Sequence, residues 1–176
     1  TRLEADGADC LLIATNTMHK VADEVQRAIR VPLIHIADPT AQAIKTQAVR
    51  RPLLLATRYT MEQDFYRGRL RDRRGIEVAV PNGADREAVH RIIFEELCQG
   101  MISPDSREAY LDIIARAREA SDIDSVILGC TEIGLLITPE LRDQVHFLND
   151  PAIPTREVNN TCERCSVMDC QERAAP

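Results

Sequence analysis

The sequence predicts an α/β fold in which two similar parallel-sheet βα domains enclose a cleft, with the first domain incomplete. Apolar, strand-like runs alternate with segments of helical spacing along most of the chain, and two of these runs end in small polar residues. Such alternation is typical of parallel sheets covered by helices. Because ligands bind beyond the carboxyl ends of parallel strands, the two polar strand ends predict one shared site.

The first domain is predicted over residues 1–50. An apolar run at residues 8–15 predicts a strand, and Thr15-Asn16-Thr17 then opens a helix that runs to about residue 29. A short strand over residues 33–36 and a further helix to residue 50 complete the pattern. Residues 1–9 resemble the end of a helix that runs into a strand, so we expect this sheet to lack its opening βα units.

The second domain is predicted over residues 51–140, and residues 141–176 as a return segment with a divergent, poorly ordered tail. Its elements alternate as in the first domain. They are predicted, in chain order, as a strand at 52–57, a helix at 60–73, a strand at 76–80, a helix at 85–97, a helix that Ser103 opens, a strand at 124–129 and a helix after Thr131.

The second polar strand end is Gly129-Cys130-Thr131-Glu132, which repeats the pattern of residues 14–17. The Cys130 thiol is expected where a strand ends and a helix starts, and the positive end of a helix dipole favours the thiolate. A thiolate can act as a base or a nucleophile. A cysteine at the end of a single strand is more often a small core residue, so the repetition of the pattern is what favours a functional role.

Composition argues against several classes of function. The net charge of −6 disfavours a nucleic-acid partner. No apolar run approaches the ~20 residues of a membrane helix and no signal peptide is visible, so we expect a cytoplasmic protein without a membrane partner. The only lysines, Lys20 and Lys45, lie at no convincing strand end, which disfavours lysine-bound pyridoxal phosphate. The five arginines within residues 67–74 are interpreted as a solvated helix end.

Several ordered motifs resemble the aspartate/glutamate racemase family of cofactor-independent amino-acid racemases. They cover roughly residues 1–148 and are Thr15-Asn16-Thr17 with His19, the segments 54–66 and 92–100, and Gly129-Cys130-Thr131-Glu132. The resemblance implies a small amino acid bound between two domains, no cofactor, no metal and a homodimer. Thr15 stands where most members carry a first catalytic cysteine. In having a threonine at this position, the chain resembles the L-aspartate/glutamate-specific subgroup.

The implied activity is racemisation of aspartate or glutamate by removal of the Cα proton. Without a cofactor, this needs an acid/base group on each face of the carbon and hydrogen bonds to the α-carboxylate. Cys130 is the expected main acid/base and Thr15 replaces the usual second cysteine, so activity is expected to be biased towards L substrates. The expected substrate-binding residues are Asn16, Thr17, Thr57, Thr131 and Glu132.

The role of Glu132 stays open, because this residue could tune the thiol, meet the substrate ammonium or only stabilise its helix. Hydantoin racemases, maleate isomerases and arylmalonate decarboxylases of the same superfamily also place cysteines at these strand ends. The chain could also be an inactive truncated fragment. Cys162, Cys165 and Cys170 have a spacing that suits zinc or an iron–sulfur cluster, but only the distant His146 is a candidate fourth ligand, so no metal site is predicted.

The sequence also predicts where two histidines and two further cysteines lie. His19 is expected either to contact substrate or position its motif, or to lie on a helix surface. His35, within an apolar strand, is predicted to be a hydrogen-bonded core residue. Cys10 and Cys98 are predicted to lie in a strand core and a helix core.

Overall fold

Two small parallel sheets organise residues 2–136, which are the residues that the computed structural model describes. Strand β1 (Leu11–Leu12) pairs with β2 (Leu33–Ile34), and β3 (Pro52–Leu55) pairs with β4 (Ser125–Leu128). Each pair is parallel, so a crossover that contains helices joins its two strands. The α/β prediction is confirmed. The domain boundary, expected between β2 and β3, stays a prediction.

The helices follow the predicted order, with differences in extent. They are α1 (Arg2–Ala5), α2 (Ala22–Ala28), α3 (Ala37–Thr46), α4 (Arg58–Glu62), α5 (Asp64–Arg74), α6 (Gly83–Glu95) and α7 (Pro104–Ser121). The helix predicted from residue 16 begins as a 3-10 turn, Thr17–Val21. The helix predicted over residues 60–73 is divided at Gln63, whose extended backbone (φ −83°, ψ 155°) separates α4 from α5.

Strand β3 runs through the centre of the core. Leu53, Leu54 and Leu55 are fully buried, which explains why this strand is apolar throughout instead of alternating. Apolar residues of α3, α5, α6 and α7 pack in the same core. The strand predicted over residues 76–80 is reduced to a single parallel bridge between Leu53 and Ala79.

Gly129 lets the ends of β3 and β4 approach each other closely. Its N–H donates to the Leu55 carbonyl at 2.7 Å. A Cβ at this position would lie 2.8 Å from both the Ala56 Cβ and the Leu54 Cδ1, whereas carbon atoms in contact prefer about 3.5–4.0 Å. The glycine therefore allows the tight sheet edge on which the next residue, Cys130, is placed.

The arginines of α5 are largely engaged in ion pairs. Arg69 forms a bidentate pair with Asp38 at 2.6 and 3.2 Å, and Arg74 lies 3.5 Å from the same carboxylate. Arg71 pairs with two aspartates of its own helix. Paired guanidinium groups of this kind support the interpretation of an ordinary charged helix surface.

Some predictions concern residues that the structure does not describe. The return segment and tail over residues 141–176, with the three tail cysteines and His146, lie outside residues 2–136. Within that described part, no helix is long and apolar enough to cross a membrane. The same residues contain no group of three or more His, Cys, Asp or Glu side chains that could hold a metal ion.

Candidate active site

A cleft of about 300 Å³ lies at the carboxyl ends of strands from both sheets. Residues 14–17 follow β1, Thr57 follows β3 and residues 129–132 follow β4, so the cleft occupies the usual ligand position of parallel sheets. The structure brings every predicted site residue to this one cleft, namely Thr15, Asn16, Thr17, Thr57, Cys130, Thr131 and Glu132. Their individual chemical roles stay predictions.

Asn16 joins the two polar strand ends. Its Nδ2 donates to the Gly129 carbonyl at 2.7 Å, although the two residues are 113 positions apart in the chain. Its Oδ1 is buried and has no hydrogen-bond partner among the described residues. An unpaired buried acceptor costs about 1–3 kcal/mol, so a ligand that brings a donor to Oδ1 gains a hydrogen bond there.

Three threonine hydroxyls form a cluster beside the cleft. Thr57 Oγ1 lies 3.3 Å from Thr60 Oγ1, and Thr17 Oγ1 lies 3.5 Å from each of them. Hydroxyls both donate and accept hydrogen bonds, so the cluster can donate to a carboxylate. Thr60, which is fully buried, was not predicted. Its position three residues after Thr57 at the start of α4 is the signal that could have identified it.

Cys130 and Glu132 form a thiol–carboxylate pair beyond β4. The half-buried Cys130 Sγ donates to Glu132 Oε2 at 2.8 Å, and the Thr131 hydroxyl donates to the same oxygen at 2.9 Å. Burial, followed by the hydrogen bond and charge of Glu132, raises the pKa of Cys130 to about 12. Partial burial opposes ionisation of Glu132, but the hydrogen bonds to its carboxylate hold its pKa below the ordinary value.

The expectation that Cys130 is biased towards the thiolate is therefore wrong for the free protein. Residues Thr131–Leu136 form a 3-10 helix instead of an α-helix, and so short a segment provides little dipole. The adjacent Glu132 carboxylate also opposes a second negative charge. Free Cys130 is a neutral thiol, and its ionisation requires a change in its surroundings.

Ile93 and Phe94 of α6, with Cys98 just beyond that helix, form a cleft wall that was not predicted. Cys98 was expected in a helix core, but the residue is exposed. The pKa of its thiol is raised, first by the part of the side chain that is buried and then by the negative charge of Glu132. Phe94 and Cys98 are four residues apart, a spacing that could have grouped them on one face. Cys10 is also exposed instead of buried, as is Leu12 of the neighbouring strand β1, so the described residues form no core around this part of the sheet.

Two buried histidines support the first strand end. His19 is 2% exposed; its Nδ1–H donates to the Thr15 carbonyl at 2.8 Å, and its Nε2 accepts from the Ile36 N–H at 3.1 Å. The helix-surface interpretation of His19 is therefore wrong. His35 is 3% exposed and its Nδ1 accepts a backbone N–H at 3.2 Å, so the prediction of a hydrogen-bonded core residue is confirmed. Burial, with the nearby Arg69 charge, lowers the pKa of His35 to about 4.

Comparison with known proteins agrees with this geometry. A family model described as Asp/Glu/hydantoin racemase matches residues 1–158. The chain belongs to the Asp/Glu/hydantoin racemase family. Two solved structures are similar to it: a candidate Asp/Glu racemase from Yersinia pestis, at 53% identity and a TM-score of 0.74, and an aspartate racemase homologue from Pyrococcus horikoshii OT3, at 43% and 0.70.

Each of these alignments covers 79% of this chain and 60% of the other, so the chain spans about three fifths of the length of both relatives. The broad specificity amino-acid racemase RacX of Bacillus subtilis (strain 168) is 21% identical over 166 residues. That match covers 91% of this chain and 67% of the Bacillus protein.

In this racemase-family chain, the described lining of the cleft offers few acid/base groups. Glu132 is the one charged side chain among the described lining residues, and neither Lys20 nor Lys45 is among them. The groups in this lining that could act as acid or base toward a bound molecule are the thiols of Cys130 and Cys98, the Glu132 carboxylate and the hydroxyls. Of the two thiols, Cys130 is the one that follows a strand, the position of ligand-binding side chains in parallel sheets.

Proposed function

We propose that the protein racemises an acidic amino acid, aspartate or glutamate, without a cofactor. Cys130 is the main acid/base, and Thr15 stands in place of a second cysteine. The observation that carries the proposal is that a half-buried thiol and an exposed hydroxyl, from the ends of two different strands, line one cleft. Family membership and the similarity to a candidate Asp/Glu racemase and to an aspartate racemase homologue support the same activity.

The described lining offers a partner for each polar part of an α-amino acid. The hydroxyls of Thr17 and Thr57 are suited to donate to the α-carboxylate, where negative charge grows as the Cα proton leaves. The Thr131 hydroxyl donates to Glu132 in the free protein and joins them by exchanging that bond for one to the substrate α-carboxylate. Asn16 Oδ1 and the Glu132 carboxylate are acceptors for the α-ammonium group. Donors that are already in place need no reorganisation when the carbanion forms, which lowers the barrier.

The two faces of Cα meet acid/base groups of unequal strength. A thiol, with an ordinary pKa near 8.5, can be brought to ionise near neutrality, whereas a hydroxyl is a far weaker acid. The Cys130 thiolate takes the Cα proton of the L substrate, and Thr15 or a water returns a proton to the opposite face. Because the two enantiomers have equal free energies, the asymmetry is expected in kcat and in proton exchange, and not in kcat/KM.

Related activities share this arrangement of a cysteine at a strand end. A hydantoin, maleate and an arylmalonate are therefore assayed beside the amino acids, and an inactive fragment would turn over none of them. A cytoplasmic homodimer stays part of the proposal, on the resemblance to the family.

The test is racemisation of aspartate and glutamate from each enantiomer, followed by chiral chromatography. Cys130→Ala is expected to abolish racemisation, while the matched control Cys10→Ala, outside the cleft lining, leaves it unchanged. Thr15→Cys is expected to raise kcat from the D enantiomer, because it supplies a stronger acid/base group to the second face. Activity that survives Cys130→Ala would contradict the assignment.

A further inference from the structure

The free protein holds Cys130 as a thiol, whereas the proposed reaction needs a thiolate. We propose that Glu132 couples amino-acid binding to the ionisation of Cys130. In the free protein the Glu132 carboxylate accepts the thiol hydrogen bond, and in the complex it pairs with the substrate α-ammonium instead. This inference rests on the proposed racemase function and assigns Glu132 a defined part in it.

The contacts of Glu132 support such an exchange of partners. Its Oε2 accepts from the Cys130 thiol at 2.8 Å and from the Thr131 hydroxyl at 2.9 Å. Within residues 2–136 no ion pair to Glu132 is formed, and this carboxylate is the one charge among the described lining residues of the cleft. A substrate ammonium, with three donors, would be attracted to it, and the unpaired Asn16 Oδ1 offers a second acceptor.

Pairing with the ammonium removes the negative charge that opposes ionisation of the neighbouring thiol. The S–H bond of Cys130 then breaks, its electron pair stays on sulfur, and the proton passes to water in the cleft. The thiolate next takes the Cα proton and forms a new S–H bond. The other titratable groups that act on Cys130 electrostatically, Cys98 and Tyr110, both have raised pKa values and stay neutral, so they do not replace Glu132.

The first experiment measures alkylation of Cys130 by iodoacetamide near pH 8 in the substrate-free protein, with peptide mass spectrometry to separate it from the exposed cysteines. In Glu132→Gln the alkylation rate is expected to rise about threefold or more, because one pKa unit gives about tenfold more thiolate and the less basic thiolate is in part less nucleophilic. Glu119→Gln, the same substitution at an exposed residue of α7, is expected to leave it unchanged. The racemisation rate of Glu132→Gln is expected to fall tenfold or more, opposite to its alkylation rate. An alkylation rate that is unchanged or lower would overturn the proposal.

The second experiment uses the unmodified protein and follows thiolate absorbance in the ultraviolet. L-aspartate is expected to increase it, whereas succinate, which has both carboxylates but no ammonium, is not. If racemisation is observed but L-aspartate does not increase the thiolate signal, the coupling is wrong and the racemase function stands. If the thiolate signal rises but no racemisation occurs, the coupling stands and the proposed function is wrong.

Discussion

Replacing Gly129 with alanine tests whether the close packing of β3 against β4 fixes the position of Cys130. The added Cβ would lie 2.8 Å from the Ala56 Cβ and the Leu54 Cδ1, and 3.3 Å from the Leu55 carbonyl oxygen. The two carbon contacts are shorter than ordinary ones by roughly 1 Å. The Leu54 side chain can rotate, but the Ala56 Cβ is attached directly to the backbone, so the strand ends must separate.

Overpacking of this kind costs about 1–3 kcal/mol, and for a chain of this length each kcal/mol lowers Tm by about 2–4 °C. Thermal unfolding by circular dichroism is therefore expected to show Tm lower by roughly 2–12 °C. Displacement of Cys130 by even about 1 Å can lower catalysis about 100-fold, so racemisation is expected to fall further than stability alone explains.

Gly134→Ala is the matched control, because no atom lies within 4 Å of its added Cβ. Its Tm and racemisation rate are expected to stay at the level of the unmodified protein. The reasoning is refuted if Gly129→Ala matches Gly134→Ala in both Tm and rate.

Two further perturbations test the histidine pair and the contact between strand ends. His35 has an ordinary pKa near 6.5 that burial lowers to about 4, so protons bind preferentially to the unfolded chain in that window. The free energy of unfolding is expected to fall by up to about 3 kcal/mol as pH drops from 6.5 to 4. His35→Gln is expected to reduce this pH dependence, as measured by urea titrations at several pH values. An equally steep fall in the variant would contradict the assignment to His35. Asn16→Ala removes the hydrogen bond to the Gly129 carbonyl and is expected to lower the free energy of unfolding by about 1 kcal/mol. It is also expected to weaken amino-acid binding, as measured by calorimetry. Unchanged affinity would show that Asn16 does not contact the substrate.

The sequence was sufficient for the parts of the fold that depend on a continuous local pattern. The apolar run at residues 52–55 predicted a strand, which the structure shows to be buried, and Pro104 marked the first turn of α7. The polar residues that follow β1 and β4 were predicted to meet because parallel strands end at one edge. The resemblance to the racemase family then added Thr57, and the catalytic role of Thr15, to the predicted site.

What the sequence did not reveal depends on contacts between distant segments. No local pattern shows that Asn16 bonds the Gly129 carbonyl, or that Cys98 reaches the cleft from the end of α6. The protonation state of Cys130 was predicted wrongly because a helix start favours a thiolate, whereas burial and the Glu132 carboxylate act in the opposite direction. Such balances are decided by tertiary surroundings.

The most direct measurement of the central claim is deuterium incorporation at Cα in D₂O, starting separately from L- and D-aspartate and from L- and D-glutamate. Initial rates are read by mass spectrometry in the unmodified protein and in Cys130→Ala. Exchange is predicted to be faster from the L enantiomer, where Cys130 takes the proton, than from the D enantiomer, and to be lost in Cys130→Ala. Equal exchange rates from both enantiomers, or exchange that persists without the Cys130 thiol, would contradict the one-sided thiol mechanism.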